Sequence, residues 1–183
     1  MRLYRQTVED FGLYAGMDLT DEQMKALQES AGQTSAKMRA VRIVSASSIS
    51  RRDLEQRLIR KGENEAQAKA AVQWMEDLSL LDDRETARQI VSRCAAHGYG
   101  MARAKQMLYE KKIPKELWDD ALEDYPDQSE HILKFLEARI TDPADQRQVK
   151  KAIDALLRRG HSYGDVRRAL SQMTEDADYF LEE

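Results

Sequence analysis

Cysteine is almost absent from this chain, and proline and phenylalanine are scarce. One Cys, three Pro, three Phe and eight Gly stand among 183 residues. A single Cys excludes an internal disulfide framework and fits a reducing compartment. Few Pro and Gly beside abundant Ala, Leu, Glu, Arg and Gln leave little to interrupt helices, so the expected fold class is all-α. No apolar run approaches the ~18 residues of a membrane span, and Met1-Arg2-Leu3-Tyr4-Arg5-Gln6 lacks the apolar core of a secretory signal. A cytoplasmic protein that avoids membranes is expected. No glycine-rich phosphate loop is present. The three histidines, His97, His131 and His161, lie far apart in sequence without Cys or carboxylate at ligand spacing. Cys94 occupies an apolar helical position and reads as a core residue. Neither catalysis, a metal nor a cofactor is expected.

What the chain does have is one phrase written three times. The copies are Ile49-Ser50-Arg51-Arg52-Asp53-Leu54-Glu55-Gln56-Arg57-Leu58, Tyr99-Gly100-Met101-Ala102-Arg103-Ala104-Lys105-Gln106-Met107-Leu108 and His161-Ser162-Tyr163-Gly164-Asp165-Val166-Arg167-Arg168-Ala169-Leu170. Leu54/Leu58, Ala104/Leu108 and Val166/Leu170 are i,i+4 pairs on one helix face. Ser50/Asp53 and Ser162/Asp165 form S-x-x-D caps that open helices. Recurrence implies helical modules, each too small to bury its own apolar face alone.

Helix punctuation places the modules. Thr7 to Gly16 reads as an extended or irregular piece, Thr20-Asp21-Glu22-Gln23 as a capping box opening a short helix to about Glu29, and Ala31 to Ser35 as a linker. Residues 1–35 are thus an N-terminal extension. A first module, 36–81, holds helices at 36–46, 50–61 and 64–78. Val41 and Val44 point inward from the first, and Ala68, Ala71, Val72, Met75 and Leu78 form one stripe on the third. A second module, 82–126, holds helices at 82–97, 100–112 and 114–124. The third, 127–183, joins through a linking segment at 128–140 to helices at 143–159, 162–173 and 174–182. The expected architecture is three tandem three-helix, helix-turn-helix-like modules in an elongated curved array. Leu54, Leu58, Met75, Leu78, Ile90, Leu108, Leu122, Leu156, Val166 and Leu170 are the expected core.

The net charge is −4, yet the signs are segregated. From Arg39 to Lys61 seven Lys/Arg face two acids, and the same ratio holds from Arg147 to Arg168. Alternation in phase with the repeat makes a basic face the candidate binding surface: Arg51, Arg52, Arg57 and Arg60, then Arg103 and Lys105, then Arg158, Arg159, Arg167 and Arg168. A DNA-reading helix-turn-helix protein is the alternative, since Lys61-Gly62-Glu63 joins two helices of suitable length. Its reading helix, however, would carry Glu65, Glu76 and Asp77 against Lys69, and its counterpart near 115–124 five acids. Phosphates repel both.

Several stretches resemble the signatures of the RecX regulatory family: Arg60-Lys61-Gly62; Leu78-Ser79-Leu80-Leu81-Asp82-Asp83-Arg84-Glu85-Thr86-Ala87; Lys112-Ile113-Pro114 with Glu116-Leu117; and Leu157-Arg158-Arg159-Gly160-His161-Ser162-Tyr163. The resemblance covers about 40–173. Ser79 and Lys112 stand where the family usually has Gly, and His161 where it has an aromatic. The resemblance implies a monomer that binds the RecA recombinase filament along its groove, modulates its ATPase and strand exchange, and touches DNA at most weakly.

Overall fold

The computed structural model describes residues 3–179, with side chains as far as Met173. All ten α-helices and the single 3-10 turn among these residues are joined by loops, without a strand. In order they are α1 Arg5–Asp10, α2 Asp21–Ala46, α3 Arg51–Arg60, α4 Glu65–Asp77, α5 Asp83–Ala96, α6 Met101–Glu110, the 3-10 turn Lys115–Leu117, α7 Trp118–Leu122, α8 Ser129–Glu137, α9 Gln146–Arg158 and α10 Tyr163–Tyr179. The all-α expectation holds. No helix among the described residues is long and apolar enough to cross a membrane. The chain divides into two compact units, Met1–Thr86 and Ala87–Glu183.

In the first unit, α2 lies against α3 and α4. Ala36 and Ala40 of α2, Leu54 and Leu58 of α3, and Ala68, Ala71, Val72 and Met75 of α4 form its core, closed by Ile49 and Leu81. Val41 and Val44 pack half-buried against it. The capping box at Thr20 and Gln23 forms as expected, but the helix it opens does not stop at Glu29. It runs through the expected linker Ala31–Ser35 to Ala46 without a break. Gly32 is the reason that stretch misleads. The Gln67 side chain of α4 lies where a Cβ on Gly32 would be, 1.9 Å from that Cβ, so the glycine provides room for a helix–helix contact rather than a break. The N-terminal stretch is irregular only from Phe11 onward; its first part is α1, with Thr7 buried beside Thr34.

A second departure concerns Leu78, which is 48 % exposed rather than core. α4 ends at Asp77; Ser79 turns left-handed at φ 55°, and Leu80 N–H bonds back to Met75 C=O. That reversal turns Leu78 and Leu80 outward and brings Leu81 into the core instead. The other expected core residues are buried, with Leu170 half-buried.

The second unit holds two apolar clusters. One joins Ala87, Ile90, Val91 and Cys94 of α5 to Ala104 and Leu108 of α6, with Ile113 and Leu122. The other joins Ile132 and Leu136 of α8 to Ile140, Ala152, Leu156, Val166 and Ala169. The expected linking helix at 128–140 is present as α8, Ser129–Glu137, and it packs on both α9 and α10 as part of the core. The two expected C-terminal helices are one, since the backbone stays helical from Tyr163 to Tyr179; residues 180–182 of that expectation lie outside the described residues. The expected helix at 114–124 is shorter too, a 3-10 turn passing into α7.

Candidate partner-binding face

The three phrases all open helices, but they satisfy the first N–H groups in different ways. At the first, Ser50 Oγ accepts from Asp53 N–H at 3.2 Å, and Asp83 reaches in so that its Oδ1 accepts from Arg51 N–H at 2.8 Å. Burial pushes the Asp83 carboxyl above its usual range, against the pull of that hydrogen bond and of Arg51. At the third, Ser162 Oγ accepts from Asp165 N–H at 3.1 Å and donates to Asp165 Oδ2 at 2.6 Å. The second has no side-chain cap, because its cap position is Gly100. There the turn between α9 and α10 supplies the partners: Gly100 N–H donates to Arg159 C=O at 2.9 Å, and Gly160 C=O accepts from Ala102 N–H at 3.2 Å. The two glycines permit the approach. A Cβ on Gly100 would lie 2.0 Å from Gly160 O, and one on Gly160 2.3 Å from Arg103 N.

This contact gathers residues remote in sequence around the turn that follows α5. Three successive carbonyls accept side-chain bonds there. His97 C=O takes Arg159 at 3.0 Å, Gly98 C=O takes His161 Nε2–H at 3.0 Å, and Tyr99 C=O takes the Tyr125 hydroxyl at 2.7 Å. The His131 ring sits against Gly98, and His97 stacks on Tyr99. All three histidines thus meet at one turn, which no local spacing signals. Burial lowers the His161 pKa, helped by Arg159 and His131 and opposed by the Gly98 bond and Asp165. Burial also pushes Tyr125 up to about 12, keeping it a donor.

The ten expected basic residues fall into three settings. Arg51, Arg52, Arg57 and Arg60 all project from α3. Arg51 pairs with Glu76 at 2.8 Å and Arg57 with Asp53 at 2.9 Å, whereas Arg60, 68 % exposed, lies 3.9 Å from Asp53. Arg57, Arg60 and Lys61 line one shallow depression at the end of the helix. Beside it Arg39 pairs with Glu63 and bonds to Lys61 C=O. On α6, Arg103 pairs with Glu110 at 3.5 Å, and Lys105 is exposed. In the third setting, Arg159 lies over the Tyr99 and Phe135 rings at 5.0 and 5.4 Å, while Arg168 pairs with Asp165 at 3.2 Å. Arg52, Lys105, Arg158 and Arg167 make no ion pair among the described residues. Sequence reasoning missed Lys61, the residue after Arg60, and Arg39, whose proximity to them depends on α2 packing alongside α3. Among the described residues no group of three or more His, Cys, Asp or Glu is arranged to hold a metal.

Residues 82–122 match the RecX second three-helix domain. The regulatory protein RecX of Stenotrophomonas maltophilia is 30 % identical over 130 residues, covering 69 % of this chain and 80 % of that protein. The chain belongs to the RecX family of regulatory proteins. The Vibrio campbellii regulatory protein RecX is 29 % identical over 78 % of this chain and 94 % of its own length. Two crystal structures share the fold. That of a regulatory protein RecX has TM-score 0.70 and 20 % identity, over 94 % of this chain and 86 % of that one. That of RecX from Lactobacillus salivarius has TM-score 0.69 and 21 % identity, over 79 % and 98 %. Ser79 and Lys112 hold φ of 55° and 58°, the left-handed conformation that glycine adopts without strain.

Proposed function

We propose that this chain binds the filament of the RecA recombinase and restrains its ATPase and strand exchange, acting in the cytoplasm as a cofactor-free monomer. Membership of the RecX family carries the reading, since relatives of similar length are named regulatory proteins. The contact is the basic face: Arg51, Arg52, Arg57 and Arg60 on α3, Arg103 and Lys105 on α6, and Arg158, Arg159, Arg167 and Arg168 around the α9–α10 turn. Two things support the choice on α3. Its cations flank the buried Leu54/Leu58 pair, and its last turn leaves Arg60 largely in solvent. Charge of one sign on an exposed face attracts an oppositely charged partner and speeds encounter.

Co-sedimentation with RecA filaments on single-stranded DNA tests the reading, with bare duplex as control. Filament-dependent pelleting and slowed ATP hydrolysis are expected; tight sequence-selective binding to duplex would favour a DNA-reading protein instead. Arg52→Glu with Arg60→Glu is the sharper variant, because Arg60 bonds only the Gln56 C=O of its own helix and lies 3.9 Å from Asp53, whereas Arg51 and Arg57 make close ion pairs. The pair should weaken filament binding by about tenfold, equivalent to ~1.4 kcal/mol. Binding by the parent should also weaken with salt, since exposed charges are screened over about 8 Å at physiological ionic strength. Unchanged binding by the folded double variant would move the contact off α3.

A further inference from the structure

Two tyrosines of the second unit stand apart from its other aromatic rings. Tyr99 lies under Arg159 and stacks with His97, and Phe135 lies under Arg139 and Arg159. Trp118 Nε1–H donates to Ile113 C=O at 3.0 Å, and the Tyr125 hydroxyl to Tyr99 C=O at 2.7 Å. Each of these four rings also packs against an apolar cluster. Tyr109 and Tyr163 do none of this. They are 70 % and 60 % exposed, and among the described residues neither makes a side-chain hydrogen bond or a ring contact.

A single exposed apolar residue is ordinary on a protein surface. Here one arrangement occurs twice, on the helices that the second and third phrases open. Tyr109 follows Lys105 by four residues on α6, and Arg167 follows Tyr163 by four on α10. Each ring thus shares a helix face with a cation. The acids nearby are already engaged. Glu110 pairs with Arg103 at 3.5 Å and accepts from Gln106 at 2.9 Å. Asp165 pairs with Arg168 at 3.2 Å and accepts from the Ser162 hydroxyl at 2.6 Å. Lys105 and Arg167 are left exposed and without an ion pair among the described residues. On both helices one cation serves the fold, and the other stands beside an unused ring. Tyr14, as exposed as Tyr109, lacks the arrangement, since the residues four away on either side are Asp10 and Asp18.

Tyrosine offers a large apolar ring at small entropic cost, and Tyr and Arg are enriched among the residues that dominate protein interfaces. We propose that Tyr109 and Tyr163 are anchor residues of the partner interface. Each ring seats in an apolar pocket of the partner protein, and a carboxylate at the pocket's edge meets Lys105 or Arg167. The inference rests on the filament reading above and deepens it: the cations steer encounter, and the rings hold the complex. A nucleic-acid strand would need a run of cations along its backbone beside the stacked bases. One cation per ring suits a lone carboxylate instead.

Pelleting of the full chain with RecA filaments on single-stranded DNA tests the proposal, read as affinity and as its salt dependence. Tyr109→Ala and Tyr163→Ala should each weaken filament binding about tenfold. Both should keep the parent's urea midpoint, because neither ring packs in the fold. Tyr109→Phe and Tyr163→Phe should stay within about twofold of the parent, since the pocket takes the ring. Lys105→Gln and Arg167→Gln should lower the salt dependence, whereas the alanine variants should keep it. Tyr14→Ala should bind as the parent does. If the parent binds and both alanine variants match it, the anchors are overturned while the filament reading stands. A parent that does not bind overturns both. Phenylalanine variants as weak as the alanine ones would put a hydroxyl bond in place of the apolar pocket and overturn it. Loss of binding to bare single-stranded DNA in the alanine variants would assign the rings to base stacking and overturn the protein pocket.

Discussion

The helix start at Ser50 and the one at Gly100 occupy the same place in a repeated phrase, yet they are held by opposite means. Ser50 is a local solution. Its own hydroxyl takes the Asp53 N–H, and it would open a helix wherever the sequence were placed. Gly100 is a long-range solution. It gives up the cap so that the backbone of residues 159–160, some sixty positions later, can pack on the first turn of α6. One start is capped by its own serine, with Asp83 added at Arg51 N–H; the other trades local stability for a contact that knits α6 to α9 and α10. Mutations should separate the two cleanly.

The largest effect is expected at the glycine crossing. Gly160→Ala places a methyl 2.3 Å from the Arg103 backbone at a residue with φ +86°. Neither neighbour is the free end of a flexible side chain, so backbone must move. A loss of about 3 kcal/mol or more is expected in urea unfolding, the upper range for overpacking plus a left-handed penalty. Gly100→Ala should behave alike. If either variant unfolds at the parent midpoint, the crossing is not what holds α6 in place.

Next comes Ser50→Ala, at about 1–2 kcal/mol, because the cap it removes is fully buried. Ser162→Ala removes a similar bond at an exposed residue and should cost about 1 kcal/mol or less. Equal losses would show that burial does not weight the local solution.

Two substitutions should stabilise. Ser79 and Lys112 close α4 and α6 in the same hydrogen-bonded reversal that Gly62, Gly98 and Gly160 make after α3, α5 and α9. Ser79→Gly and Lys112→Gly should each gain about 1 kcal/mol, the strain of a left-handed residue less the extra chain entropy of glycine. No gain at either would mean local contacts of these side chains offset the strain.

Much of this fold was legible because helix ends carry chemical marks. The serines, the paired aspartates and the glycines bounded α3, α4, α5 and α6 to within a residue or two, and α9 to within three. Legibility failed where a residue served a distant neighbour. Gly32 looked like a break but makes room for Gln67. Leu78 continued an apolar stripe past the point where Ser79 turned the chain. The core role of Ile132 and Leu136, on the expected linking helix, was not legible because their partners, Leu156 and Val166, lie on other helices. For the basic face, the helix faces were legible but the ion pairs were not. That Arg51 answers to Glu76 of α4 while Arg159 is held over two rings depends on tertiary contacts.

The smallest effect concerns His161, which belongs to the long-range solution. Its ring is buried and donates to Gly98 C=O, with Arg159 and His131 nearby and Asp165 the opposing charge. Burial lowers its pKa in the folded chain, so the unfolded chain binds a proton more readily. The neutral ring's contribution is therefore fully present above the unfolded value of about 6.5 and is lost as pH falls from there through the folded value. Stability of the parent should decline between pH 7 and 5 in urea titrations. His161→Phe should remove that part of the decline while giving up the Gly98 bond, so the two proteins should converge as the medium is acidified. A decline of equal size in both would assign the pH dependence to other groups and leave His161 as packing alone.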